Sequence, residues 1–152
     1  MRSHVLITGG AGFQGSHMAE SLVNAGFQVT ILNTYSEQAV ANISPFAHSV
    51  TVVWGSVTDP EIVYKTVRGQ DVVIHLAAYI NVDQSIQSPA GFLDVNIKGT
   101  FNILEAVREE GNRLIYGSSC EVYGANQNGL LTETSDLRPH SPYAATKAAA
   151  DR

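Results

Sequence analysis

The chain has 152 residues, 44% hydrophobic and 15% charged, with nine Lys and Arg against 14 Asp and Glu for a formal net charge of −5. That length suits one domain with a real core, and an acidic balance with no basic run argues against nucleic acid and anionic membrane surfaces as partners. A single cysteine, Cys120, excludes an internal disulfide, and no signal peptide is legible in Met1-Arg2-Ser3-His4 and the three apolar residues that follow.

Short Val/Ile/Leu runs alternate with stretches of helical period, the pattern of repeated βα units. Strands are predicted at about 4–8, 28–32, 50–54, 71–76 and 112–118. After the first, Gly12 to Asn24 carries Phe13, Met18, Leu22 and Val23 at helical spacing and stops at Ala25-Gly26, a glycine cap. Asn33 to Ser49 shows no clear period, and the sequon Asn42-Ile43-Ser44 within it is read as chance. Thr58-Asp59-Pro60-Glu61 places capping side chains before a first-turn proline, and Ile62, Val63 and Val67 follow before Gly69 ends the helix. The nearly apolar run Val72 to Ile80 is about half as long as a bilayer span, so the expected compartment is the cytoplasm.

Phe92, Leu93, Val95, Ile97, Phe101, Ile103, Leu104 and Val107 predict one long helix from Ala90 to Glu110. Its mid-helix Gly99, costing about 1 kcal/mol against alanine, points to close packing on a neighbouring strand. Ala125 to Ser141 reads as a long loop rich in Asn, Gly, Thr and Pro. The strands lack polar alternation, as expected when helices cover both faces of a parallel sheet. The predicted fold is therefore α/β, a doubly wound parallel sheet over 1–152.

Thr8-Gly9-Gly10-Ala11-Gly12-Phe13-Gln14-Gly15 falls between the first strand and the first helix. Gly9, Gly12 and Gly15 are spaced GxxGxxG, a variant of the dinucleotide fingerprint. The glycines allow a tight turn, a close backbone approach to pyrophosphate and tight helix–strand packing, and the helix end with its N–H groups holds the anion. The acid that usually receives the ribose hydroxyls is replaced by Asn33 at the end of the second strand. No Arg or Lys occurs from Gly9 to Tyr64, so a 2′-phosphate lacks a cationic partner and NAD is favoured over NADP.

Further on, Ser141-Pro142 opens a helix that places Tyr143 and Lys147 one turn apart on one side. A lysine there favours the phenolate and would make Tyr143 a base for a hydroxyl proton. The fifth strand delivers Gly117-Ser118-Ser119 at its carboxyl end, where open α/β sheets bind ligands. His75 reads as packed beside the cofactor, Asn96 as a structural hydrogen-bonding residue under the site, and Tyr35 and Trp54 as edge packing within reach of adenine. The histidines and Cys120 show no zinc-ligand spacing, so no metal is expected.

These motifs, with His75-Leu76-Ala77-Ala78, Asn96-Ile97-Lys98-Gly99-Thr100, Ser118-Ser119-Cys120-Glu121-Val122-Tyr123-Gly124 and Ser141-Pro142-Tyr143-Ala144-Ala145-Thr146-Lys147, resemble the extended short-chain dehydrogenase/reductase family. Within it, the nucleotide-sugar epimerases and dehydratases are the nearest in pattern. The resemblance implies a Rossmann fold, NAD as cofactor, a nucleotide-sugar substrate and a homodimer through the helices around Phe92–Glu110 and Tyr143. It implies Tyr143 as acid/base, Lys147 also on the nicotinamide ribose, Ser119 as the triad hydroxyl, and Leu76, Ala77 and Ala78 lining the cofactor. Gly55-Ser56-Val57 stands where the family has an adenine-contacting carboxylate, so Ser56, Val57 and Asn33 mark an altered adenosine site. Asp83 and Ser85 lie where the family contacts substrate or orders a loop.

Ser119-Cys120-Glu121 resembles the 4,6-dehydratases, with Glu121 as base at C5 and Cys120 where others carry an acid. A 4-epimerase and a decarboxylase are the family alternatives; a non-catalytic NAD-binding module is the alternative of another class. The family continues beyond the Tyr143 helix into a substrate domain, so the chain is expected to be a fragment. Its Ala144, Ala145, Ala148 and Ala149 face and one sheet edge are then expected to be exposed.

Overall fold

The structure is a computed structural model that describes residues 3–125 and 129–152. Met1 and Arg2 of the N-terminal segment, and positions 126–128 of the expected 125–141 loop, lie outside the described residues.

Five parallel strands form one sheet in the order β3-β2-β1-β4-β5. They are β1 (His4–Thr8), β2 (Gln28–Asn33), β3 (Val50–Trp54), β4 (Val72–His75) and β5 (Arg113–Tyr116). The register pairs Val5 with Val29 and with Val72, so β1 sits at the centre and the strand order reverses there. Alternate residues of β1 feed two cores. Val5 and Ile7 pack with Ala19, Val29, Ile31 and Phe46 on one face, while Leu6 packs with Leu32, Val63, Val67 and Ile103 on the other. Burial on both faces explains the absence of polar alternation in the strands.

Helix α1 (Phe13–Asn24) ends where predicted, with Gly26 at φ +88° and its N–H on the Val23 carbonyl. The region without a readable period holds α2 (Glu37–Ile43), capped by the Ser36 hydroxyl on Ala39 N–H, and a 3₁₀ turn over Ser44–Ser49. Helix α3 (Pro60–Val67) starts on the Asp59 carboxylate, which accepts from Glu61 and Ile62 N–H. A short α4 (Val82–Gln87) follows β4.

The long helix expected from Ala90 to Glu110 is interrupted. A turn of α-helix, α5 (Ala90–Phe92), passes into a π-helical segment over Leu93–Lys98 and then into α6 (Gly99–Glu110). Gly99 is a close-packing position, but its neighbour is Val57 in the loop after β3 rather than a strand; a Cβ there would stand 2.5 Å from Val57 Cγ2.

The last helix, α7 (Pro142–Ala150), is capped by the Ser141 hydroxyl on Ala144 N–H and packs on α4, the π segment and the 3₁₀ turn at Cys120–Tyr123. That packing corrects the expected alanine face: Ala144 and Ala148 are buried, and only Ala145 and Ala149 are exposed. The edge strand β5 is the less covered part of the sheet, with Ile115 exposed. No helix of the described residues is long and apolar enough to cross a membrane.

Candidate active site

The carboxyl ends of the strands open onto one cleft of about 830 Å³, at the place where the strand order reverses. Its floor at one end is the glycine loop. Gly9 turns out of β1 at φ +72°, its N–H bonded to the Leu32 carbonyl at 2.9 Å, and a Cβ there would stand 2.8 Å from Ala77 N. Only glycine lets β1 and the end of β4 meet this closely. Gly12 begins α1 with no side-chain cap and no acid in the first turn, and Phe13, Gln14 and Gly15 line the cleft. The unpaired first-turn N–H groups thus face the cleft with the positive end of the helix, which is an anion site.

Beside the loop, Asn33, Ser56 and Val57 line the next stretch of wall. Asn33 Oδ1 accepts Ala11 N–H at 3.2 Å and its Nδ2 donates to the Thr34 carbonyl at 2.9 Å, so the amide braces the loop while keeping one acceptor and one donor position. Ser56 Oγ accepts Thr58 N–H and pairs with Thr58 Oγ1, closing the turn into α3. Tyr35 and Trp54 stand in T-shaped contact, 5.5 Å between ring centroids, and are both exposed.

Leu76, Ala77 and Ala78 form the central wall, and Ser119 and Tyr143 the far end. Ser119 follows β5 and caps the Cys120–Tyr123 turn by accepting Glu121 N–H at 3.2 Å. Its own proton is therefore free to be donated elsewhere. Tyr143 is buried in the first turn of α7, held by Ser85 Oγ on its N–H at 3.1 Å, with its ring edge-on to Phe92.

Lys147 is buried one turn further along α7 and does not line the cleft. Its Nζ donates to the Gly117 carbonyl at 2.6 Å and stands 4.3 Å from the centre of the Tyr116 ring. Burial lowers its pKa to about 8, against an opposing pull from the Asp151 carboxylate. Cys120 and Glu121 are exposed beside Ser119 and lie outside the cleft lining. Asp83 is exposed on α4, and Ser85 is fully enclosed, reaching the site through Tyr143 rather than by its own hydroxyl. His75 and Asn96 are buried below the cleft.

The lining also includes Gly55 and Ser118 from the motifs already named, and five residues given no site role from sequence: Leu32, Thr34, Tyr79, Ile80 and Val95. Tyr79 and Ile80 simply continue the apolar run after β4, whereas Val95 reaches the cleft from the π segment, which no helical period announces. A smaller pocket of about 380 Å³ adjoins Asn33 and Gly12, walled by Ser36, Gln38, Ala39 and Asn42 of α2. The sequence signal for that wall is Ser36, which caps α2 on Ala39 N–H. Among the described residues, no group of three His, Cys, Asp or Glu side chains is placed to hold a metal ion.

A family model described as GDP-mannose 4,6 dehydratase matches residues 6–152. The chain belongs to this family of extended short-chain dehydrogenases/reductases. Among curated members, it is 40% identical over 154 residues to a dTDP-glucose 4,6-dehydratase of Mycobacterium tuberculosis, covering 97% of this chain and 46% of that protein. It is 36% identical over 155 residues to a UDP-glucose 4-epimerase of Streptomyces lividans, covering 99% and 46%. A dTDP-glucose 4,6-dehydratase from Streptomyces venezuelae, solved with NAD bound, superposes with a TM-score of 0.91 at 34% identity, covering 97% of this chain and 49% of that one. A UDP-glucose 4-epimerase from Thermus thermophilus, also solved with NAD, gives 0.88 at 35% identity, covering 97% and 48%. The chain spans about half the length of these family members.

Proposed function

We infer that the protein is an NAD-dependent nucleotide-sugar 4,6-dehydratase working through a 4-keto sugar. The observation that carries this reading is a single cleft with the glycine loop at one end and Ser119 and Tyr143 at the other. The residues present fit a dinucleotide. The uncapped start of α1 suits the pyrophosphate, Asn33 and Ser56 suit the adenosine, and the apolar Leu76-Ala77-Ala78 wall leads to Tyr143. With neutral Asn33 and no cation between Gly9 and Tyr64, NAD is preferred to NADP. When bound, NAD supplies the acceptor for the C4 hydride and, once reduced, the donor that returns it.

Tyr143 takes the proton of the sugar 4-hydroxyl, assisted by the Lys147 cation one turn along α7. Ser119, its acceptor side engaged by Glu121 N–H, donates to the same sugar oxygen. The resulting ketone acidifies the hydrogen at C5. Glu121 removes that proton and returns it to the 6-hydroxyl, which leaves as water with formation of the C5–C6 double bond; when C6 is reduced, C5 takes up a proton delivered through Glu121, and Tyr143 passes the 4-hydroxyl proton on to solvent. Cys120 is the other candidate acid for that departure. Asp83 keeps a proposed role at the substrate, Ser85 one in holding Tyr143, and a second domain in the length not spanned here would select the sugar.

The dehydratase reading is supported over a 4-epimerase by Glu121, tethered two residues beyond Ser119. Glu121→Gln is expected to leave NAD binding and C4 oxidation in place and to slow loss of water by about 10²–10⁴-fold. Dehydration at the wild-type rate would assign the base elsewhere.

A further inference from the structure

The chemistry above makes no use of His75, yet this side chain is 1% exposed and bonded at both ring nitrogens. Nδ1 lies 2.6 Å from Thr8 Oγ1 and Nε2 lies 3.0 Å from Thr100 Oγ1. Thr100 donates its hydroxyl proton to the Asn96 carbonyl at 2.7 Å, the i to i−4 bond available to threonine in a helix. Its oxygen therefore meets Nε2 as an acceptor, and Nε2 carries the hydrogen. A neutral imidazole has one N–H, so Nδ1 accepts and Thr8 donates to it. Thr8 Oγ1 in turn accepts Ala77 N–H at 3.2 Å.

An unbroken, one-directional chain of bonds thus runs from Ala77 N–H through Thr8, His75 and Thr100 to the Asn96 carbonyl. There the chain of bonds ends, and the link to α7 passes through the Asn96 residue itself, whose amide is also held by the Tyr79 N–H and carbonyl. Its Nδ2 donates to Thr146 Oγ1 at 3.0 Å, and Thr146 donates to the Tyr143 carbonyl at 2.7 Å. One end is a cleft wall, the other the backbone of the residue assigned as acid/base. The groups facing the ring from neighbouring elements, Lys147 on α7 and Tyr116 on β5, reinforce the neutral form, since a cation stands close and neither supplies a carboxylate. A protonated ring would have two donors and would reverse the Thr8 bond.

We propose that His75, locked as its Nε2–H tautomer, is a positioning residue that holds the Ala77 wall of the cleft in register with Tyr143 on α7. Ala77 lies on the cleft wall between the glycine loop and Tyr143, so His75 would set the separation between a dinucleotide held along that wall and the Tyr143 hydroxyl. The kinetic consequence rests on the reaction inferred above; the tautomer and the coupling do not.

Thr100→Val removes the hydroxyl while keeping the shape, and Thr100→Ser restores it. In the full-length enzyme, Thr100→Val is expected to lower kcat for 4-keto product by about tenfold to a hundredfold, as small misplacements do, with KM and NAD occupancy within about twofold. Thr100→Ser should recover most of that loss. Independently of turnover, nitrogen-15 NMR should show His75 as the neutral Nε2–H form, and Thr100→Val should move the amide resonances of both Ala77 and Tyr143. Thr8→Val, read by the same resonances, replaces Thr100→Val if that variant does not fold. An Nδ1–H or charged His75, unmoved Tyr143 resonances in the variants, or equal slowing by Thr100→Val and Thr100→Ser would overturn the proposal. Absence of any 4-keto product from the wild type would instead overturn the reaction, leaving the NMR result to decide the role of His75.

Discussion

At the residue scale, His75 ties pH to stability. Burial, with the Lys147 cation as the second cause, holds its folded pKa at about 3, against an ordinary value of 6.5. Between those values the unfolded chain binds a proton that the folded one refuses, so the contribution is fully present above pH 6.5 and is lost as pH falls below it. Its share is about 1.4 kcal/mol for each pH unit across that window. Urea unfolding at pH 7, 6 and 5 should show a decline in the wild type that is shallower in His75→Gln by about that slope; parallel declines would contradict the assignment. None of this was readable in the sequence. His75 could be read as packed beside the cofactor, but its partners Thr8 and Thr100 lie 67 and 25 positions away and carry no local signal. The glycine loop, by contrast, was legible because its signal is local: Gly9, Gly12 and Gly15 fall within seven residues directly between a strand and a helix, even though the Ala77 contact that Gly9 permits lies far along the chain.

At the scale of elements, strands and capped helices followed the sequence because their cues sit within a turn of where they act. Asp59 and Pro60 start α3, and Gly26 stops α1. Helix α2 escaped because it is seven residues long and buries only Ala39 and Ile43, too short a stripe to show a period. The π segment escaped because its wider turn breaks the 3.6-residue repeat while leaving the apolar content unchanged. It brings Val95 to the cleft and Asn96 beneath α7.

Gly99, at the end of that segment, gives a test with a counterintuitive sign. Helix propensity alone would have Gly99→Ala stabilise by about 1 kcal/mol. The added Cβ would instead meet the stiff Val57 side chain at 2.5 Å, and overpacking of this kind costs about 1–3 kcal/mol. A net loss of stability, read as a lower Tm, is the expected result, and a rise in Tm would show that Val57 yields freely.

At the scale of the whole molecule, the sheet and both cores place every proposed catalytic group at one end, so the fold that the sequence implied also dictates where chemistry occurs. Outer faces are a different matter. Leu93, Phe101 and Leu104 are exposed along the π segment and α6, Phe101 at 59%. The family resemblance predicts a dimer through this region, and on that expectation Phe101→Glu should shift the full-length protein from dimer to monomer in sedimentation, without loss of NAD binding. An unchanged dimer would move the contact elsewhere.

The central claim, that one cleft oxidises C4 and then directs the sugar to lose water, is tested most directly by following a label. The full-length enzyme would be given a nucleotide hexose carrying deuterium at C4, and the product examined by NMR. A 4-keto-6-deoxy product with deuterium at C6 is the predicted result. Deuterium returned to C4 of an intact hexose would contradict the dehydratase account.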